Sequence, residues 1–323
     1  MPPAKVVVVI GATGAQGGSV ARTLLQDGRF AVRAITRNPK SAKAVLLAQE
    51  GAEIVKGDIS RQEDLERIFK AAWAAYAMTD SWDAAIGENP EIEAIQGRNM
   101  ADSALAAGVE RFIYSGGPPI PDCPMGYTKH EVGQYSLSLP FAFVANVWIG
   151  WYTTNFISYM PPRLADDGKT VDFAYPIYSG TCTFPIVNAE VDTGPAILSL
   201  LLPSGDFCNR RAFWIASEML SLADIARQYQ EVTGEPARHV TLPEGDYDYI
   251  APDWTIMAKY LEKHKGWINN EMWHDVGGAG GHDVLGPALK LHPGISTWRQ
   301  WLKSSGFSLQ DPQWILKLGK TPW

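Results

Sequence analysis

The chain is poor in cysteine and carries no long apolar run and no block of like charge. Its three cysteines among 323 residues, Cys123, Cys182 and Cys208, are odd in number, widely spaced and without a Cys-x-x-Cys pair. A disulfide framework is excluded as the source of stability, and plain thiols in a reducing compartment are expected. No stretch of eighteen consecutive apolar residues is present, so no segment reads as a membrane-spanning helix. Lys and Arg number 28 against 35 Asp and Glu, a net charge of −7 that no basic run offsets. Direct binding to nucleic acid or to an anionic membrane is therefore not expected. The N-terminus, Met1 to Lys5, leads straight into a strand with no leader pattern, so a cytoplasmic location is expected.

What is present begins at once. Val6, Val7, Val8, Val9 and Ile10 form a β-branched run that reads as a strand buried on both faces. Gly11, Gly14 and Gly17 follow at every third position, and Val20, Ala21, Leu24 and Leu25 then fall on one helical face, with Gly28 as the stop. Strand, glycine turn and helix together predict a phosphate cradle. Gly11 permits the tight turn, Gly14 lets the backbone approach a pyrophosphate, and Gly17 lets helix and strand pack closely. The helix start, through Thr13, Ala15 and Gln16, then offers N–H groups and a positive dipole end to a dinucleotide.

A second absence decides which dinucleotide. An NAD-binding unit usually has Asp or Glu after its second strand, to hold the ribose 2′-hydroxyl. Here the strand from Ala31 to Thr36 is followed by Arg37, Asn38, Pro39 and Lys40, with Lys43 behind. A guanidinium binds a 2′-phosphate in bidentate fashion where a carboxylate would repel it, so NADP(H) is expected over NAD(H). The alternative is that these bases form a solvated loop. A third strand, Glu53 to Lys56, ends at Asp58, which would either accept from adenine or cap the next helix. A fourth, Trp73 to Met78, ends at Thr79, and a fifth, Arg111 to Tyr114, at Ser115. The β-α alternation predicts an α/β fold: a Rossmann-type doubly wound parallel sheet over residues 1–160, with some later segments returning to it. Residues 161–323 are expected to form a smaller mixed α/β lobe that closes over the substrate.

A third absence bears on chemistry. No tyrosine has a lysine four residues later. On a helix that spacing lets the cation lower the phenol pKa, so the usual phenol acid of reductases on this scaffold is missing. Lys129, in the helical stretch from Gly126 to Tyr135, remains as the candidate catalytic group: desolvated at the crevice it would give or take a proton. An ordinary surface lysine is the competing reading. Tyr127 beside it, and Trp151, Tyr152 and Asn155 after the sixth strand, are candidate substrate contacts.

GATGAQGG at 11–18, VRAITRNP at 32–39, GAEIVKGDIS at 51–60, RFIYSGG at 111–117, Lys129 in its helix and WYTTNF at 151–156 together resemble the NmrA-like family. These are atypical short-chain dehydrogenase/reductases related to isoflavone and phenylcoumaran benzylic ether reductases. The resemblance covers residues 5–160, continues more faintly through Asp192 to Pro195 and Leu220 to Ala226, and fades after residue 245. It implies that Gly11, Gly14 and Gly17 cradle the pyrophosphate and Arg37 the 2′-phosphate. It further implies Asp58 beside adenine, Thr79 on the ribose or nicotinamide side, and Lys129 as the catalytic lysine. The family also contains members that bind NADP(H), catalyse nothing known and report redox state to transcription factors. Two readings therefore stand: an NADPH-dependent reductase of a small aromatic or conjugated substrate, or an NADP(H) sensor that binds a protein partner.

Seven of the twelve tryptophans lie after residue 240. Tyr247, Tyr249, Trp254, Trp267 and Trp273 either roof a pocket for a flat substrate or pack a helical cap. His274-Asp275 and His282-Asp283 flank a glycine run, Gly277 to Gly281, whose spacing fits a mobile loop better than a metal site, and no metal is expected.

Overall fold

A computed structural model describes residues 4–119, 124–175, 183–246 and 285–311, apart from 82, 84, 85, 87, 88 and 244. Tyr247, Tyr249, Trp254, Trp267, Trp273, both His-Asp pairs, the Gly277–Gly281 run, Cys123 and Cys182 lie outside the described residues.

In chain order the elements are β1 (Lys5–Val9), α1 (Ala15–Asp27), β2 (Phe30–Thr36), α2 (Ala42–Gln49), β3 (Glu53–Lys56), α3 (Gln62–Phe69), β4 (Ala74–Met78), α4 (Pro90–Ala106), β5 (Arg111–Gly116), α5 (Pro124–Ser138) and β6 (Phe143–Ile149). There follow β7 (Trp151–Tyr152), α6 (Asn155–Ser158), β8 (Arg163–Leu164), β9 (Val171–Tyr175), β10 (Thr183–Val187), α7 (Ala189–Leu200), β11 (Arg211–Ile215), β12 (Glu218–Ser221), α8 (Leu222–Thr233), β13 (Ala237–Thr241), α9 (Gly286–Leu291) and α10 (Trp298–Ser305). The chain divides into two compact units. One comprises Met1–Ile149, Ala189–Ile215 and Pro287–Pro293; the other comprises Gly150–Asn188, Ala216–Gly286 and Gly294–Trp323.

The first unit is a seven-stranded sheet in the order β11-β6-β5-β4-β1-β2-β3. Every pairing in it is parallel. This is the Rossmann-type doubly wound arrangement. Val7, Val8 and Val9 are fully buried because β1 lies between β2 and β4 with helices on both faces. The strand order reverses between β1 and β4, and in open parallel sheets a crevice opens there beyond the carboxyl ends. Residues 10–17 and 79–81 lie at those ends.

The last strand and helix of this sheet come from beyond residue 188. Helix α7 begins at Ala189, ahead of Asp192 and Thr193. Both are buried in its first turns, and Asp192 pairs with His292 at 3.0 Å. The helix runs through Pro195, and beside it Gly194 packs tightly on α1: the Gly194 N–H donates to Ser19 Oγ at 2.9 Å, and a Cβ at Gly194 would sit 2.3 Å from the Ser19 carbonyl.

The second unit holds two three-stranded sheets, β12-β10-β7 and β13-β9-β8, each with one parallel and one antiparallel pairing. Helix α8 starts on a reciprocal cap between Ser221 and Asp224, and α10 on one between Thr297 and Gln300. Trp298 is fully buried, stacks on Trp301 at 5.0 Å between centroids and donates its indole N–H to the Ile225 carbonyl at 3.2 Å. These two tryptophans are core packing.

Candidate functional site

The turn between β1 and α1 is built on three glycines with different jobs. Gly11 has φ +68°, which side-chain-bearing residues rarely adopt, and a Cβ there would lie 2.7 Å from Met78 Sδ. Gly14 is exposed at the N-cap of α1, with no side-chain cap on the helix and no acid in its first turn. Its N–H donates to the Gly11 carbonyl at 2.9 Å. At Gly17 a Cβ would lie 2.3 Å from the Gly11 carbonyl oxygen, so the close approach is to the turn itself rather than to the strand. Thr13 and Ala15 are half-buried around this corner. The Gln16 side-chain Oε1 faces the sheet, accepting from Tyr76 at 2.6 Å and Ser115 at 2.7 Å, while its backbone N–H belongs to the first turn of α1. A helix start with no side-chain cap and no acid, at the positive end of the dipole, is chemically suited to an anion.

At the end of β2, Arg37 is exposed and ion-paired with Asp83 from the loop after β4. Lys40 and Lys43 are exposed. Asp58 shapes its own turn: its Oδ1 accepts from the Ser60 N–H at 2.9 Å, and its N–H donates to Asp64 Oδ2 at 2.9 Å.

Thr79 and Lys129 meet. Lys129 lies in the second turn of α5, which begins at Pro124, two residues before the helical stretch read from the sequence. Its Nζ donates to the Thr79 carbonyl at 2.8 Å and to Thr79 Oγ1 at 3.0 Å, and stands 3.1 Å from Glu93 Oε1. An ammonium has three donors, and these three contacts use them all. Glu93 is fully buried. Its carboxylate also accepts from Thr79 at 2.7 Å, Ser81 at 2.8 Å and Thr128 at 3.0 Å. Burial works against the charged form of Glu93, but the Lys129 ammonium and the Thr79 and Ser81 hydroxyls outweigh it and hold the carboxyl below its ordinary range. Tyr114 is buried with its hydroxyl 3.1 Å from Thr79 Oγ1. Desolvation pushes that phenol far up, so it does not replace the missing acid. The sequence reading did not single out Glu93. The signal was there: Glu93, Gly97, Met100 and Ala104 share one face of α4, and all are buried.

Tyr127 is 55% exposed on α5. Trp151, Tyr152 and Asn155 belong to the second unit. Trp151 and Tyr152 form β7, with the Trp151 ring edge-on to Phe184, and Asn155 is buried at the start of α6, where its carbonyl accepts from Tyr159 and Met160. Cys208 is buried, and burial pushes its thiol up to about 12, so it is an inert thiol. Among the described residues no cluster of His, Cys, Asp and Glu has the form of a metal site, and no helix is long and apolar enough to cross a membrane.

This chain is similar to known proteins along most of its length. The NmrA-like family oxidoreductase himF of Aspergillus japonicus is 30% identical over 255 residues, 74% of this chain and 76% of its own. Two solved structures share the fold. NmrA, a negative transcriptional regulator crystallised with NADP, aligns over 97% of this chain and 99% of its own with a TM-score of 0.74 at 23% identity. The triphenylmethane reductase of Citrobacter sp., complexed with NADP(H), aligns over 93% and 99% with a TM-score of 0.72 at 19% identity. The sequence profile of the NmrA-like family matches residues 3–277, and the chain belongs to that family.

Proposed function

We propose that the protein binds NADP(H) and reduces a small, aromatic or conjugated molecule, with Lys129 handling the proton. One observation carries the reading: an ammonium held by a buried carboxylate beside Thr79, at the carboxyl end of the strand next to the glycine corner. The residues present fit the dinucleotide. The corner at Gly11, Gly14 and Gly17 is exposed at Gly14 and has an N-terminal turn without a side-chain cap for a pyrophosphate. Arg37 is exposed for a 2′-phosphate, and Asp58 lies at the end of β3, where adenine is expected. When bound, the nicotinamide supplies a hydride. Lys129 holds a proton for the substrate atom that gains electron density, directly or through water, and Glu93 and Thr79 hold Lys129 in place. Because all three Nζ donors are engaged, one contact must be released as that proton leaves. Relatives named oxidoreductases and a neighbour named a reductase support this reaction class.

A second reading is favoured by one finding: NmrA, which shares this fold over nearly its whole length, is described as a negative transcriptional regulator. On that reading the same site binds NADP(H) without turnover and its occupancy is read by a protein partner.

The test saturates the protein with NADPH, adds a panel of carbonyl, imine and enone compounds, and follows loss of nicotinamide absorbance. Turnover that disappears in Lys129→Ala while cofactor affinity is kept supports the reductase. No turnover across the panel, with partner binding that differs between NADP⁺ and NADPH, supports the sensor. In the same titrations Arg37→Ala weakens NADPH about ten- to a hundredfold, the worth of a charge-assisted contact, and NADH far less. Equal losses would remove Arg37 from the 2′-phosphate site.

A further inference from the structure

The guanidinium assigned to the 2′-phosphate already has an anion. Arg37 pairs with Asp83, with the arginine side chain 65% exposed and the carboxylate 18% exposed. The backbone of Asp83 is hydrogen-bonded through both its N–H and its carbonyl. Its N–H donates to the Asp80 carbonyl at 3.0 Å and its own carbonyl accepts from Ile86 at 2.8 Å. The Ile86 carbonyl accepts from Asn89 at 2.9 Å, and the Asn89 side chain caps α4 at the Glu91 N–H. These hydrogen bonds connect the backbone of Asp83 to the start of α4. Arg37 reaches it on a long, flexible stem from the end of β2.

We propose that Asp83 is a specificity-determining residue of the cofactor site. Its carboxylate competes with the 2′-phosphate of NADP(H) for the Arg37 guanidinium and so narrows the preference for NADP(H) over NAD(H). This rests on the NADP(H) reading above. The physical argument is one of charge. A planar guanidinium engages a phosphate or carboxylate edge-on through in-plane N–H donors, and one of those donors on Arg37 already meets Asp83 Oδ2. A 2′-phosphate must break the Asp83 contact or share the guanidinium with it, and the first costs the ion pair while the second brings two anions close around one cation. A 2′-hydroxyl carries no charge, meets no such repulsion and has no need of the guanidinium. The exposed Lys40 and Lys43 attract the phosphate from the neighbouring segment and do not distinguish these outcomes. An exposed ion pair is weak, so the competition tunes the preference and does not abolish binding.

The experiment titrates NADPH and NADH separately into the full chain, by calorimetry, for wild type, Asp83→Asn, Arg37→Ala and the double variant. Asp83→Asn is expected to tighten NADPH by about three- to tenfold and leave NADH within about twofold. In the Arg37→Ala background the same change is expected to move NADPH by less than about twofold, because there is no guanidinium left to compete for. NADH binding reports that each variant is folded. Equal shifts for both coenzymes, no shift in either, or weaker NADPH binding in Asp83→Asn would each overturn the proposal, the last by showing that Asp83 orients Arg37 for the phosphate. If wild type binds neither coenzyme, the NADP(H) reading itself fails and the role of Asp83 goes with it.

Discussion

Glu93 shows how one buried charge sets the terms for its neighbours. It is wholly inside the protein, and its carboxylate is held ionised by Lys129 and by the hydroxyls of Thr79, Ser81 and Thr128. Removing one member of a buried pair costs more than the pair is worth, because the other charge is left in a poor dielectric. Lys129→Ala is therefore expected to destabilise the fold by about 2–3 kcal/mol, somewhat less than a fully buried pair because the lysine side chain is 23% exposed. Lys129→Met combined with Glu93→Gln should recover most of that loss, as read by urea denaturation. If the double variant is no more stable than Lys129→Ala, the pair is not the cause. The sign of the pH dependence follows from the depressed carboxyl. Its folded-state pKa lies below its ordinary 4.5, so its contribution is present above that pH and is lost as pH falls through the folded value. The stability difference between wild type and Glu93→Gln should accordingly be constant from neutral pH down to about 5 and change only in stronger acid.

At the scale of the element, helix α1 is positioned by its glycines as much as by its apolar face. Val20, Ala21 and Leu24 bury one side, and Gly28 ends the helix in a left-handed conformation with its N–H on the Leu24 carbonyl. The start is fixed by the approach of Gly17 to the Gly11 carbonyl, a backbone atom that cannot rotate out of the way. Gly17→Ala should therefore move the helix start away from the turn, cost about 1–3 kcal/mol in stability and abolish measurable NADPH binding. Gly28→Ala tests only the helix end, where no atom stands within reach of an added Cβ. It should cost about 1 kcal/mol and leave NADPH affinity unchanged. Thermal melts and coenzyme titrations on both variants separate the two glycines. Comparable NADPH affinity in both would argue against the corner as the binding site.

Across the whole molecule, the sheet is not complete in the N-terminal half of the chain. Strand β11 pairs with β6 from Arg211 to Ile215, and α7 covers α1. The segment 287–293 returns to the same unit, where the Leu291 carbonyl accepts from Ser199 at 2.7 Å and His292 meets Asp192. A fragment ending at residue 160 keeps β1 to β6 but leaves the edge of β6 and the Ser19 face of α1 uncovered. Such an edge is a template for association. The fragment is expected to aggregate or to unfold without a cooperative transition, checked by light scattering and circular dichroism. A cooperative, monomeric fragment would mean that α7 and β11 are dispensable.

The sequence alone determined what is local and periodic. Five consecutive β-branched residues cannot avoid burial, a glycine at left-handed φ ends the strand, and apolar spacing then winds the helix. From this the parallel sheet, the glycine corner and the basic residue at Arg37 could all be read. Tertiary structure decided what depends on residues far apart in the chain. Glu93 and Lys129 are 36 positions apart, and only the packing of α4 against α5 makes them a pair. Arg37 reads as a free cation until the loop after β4 brings Asp83 to it. Charge pairing and hydrogen bonding act over a few ångströms of space, and sequence spacing fixes such distances only within a single helix, strand or turn.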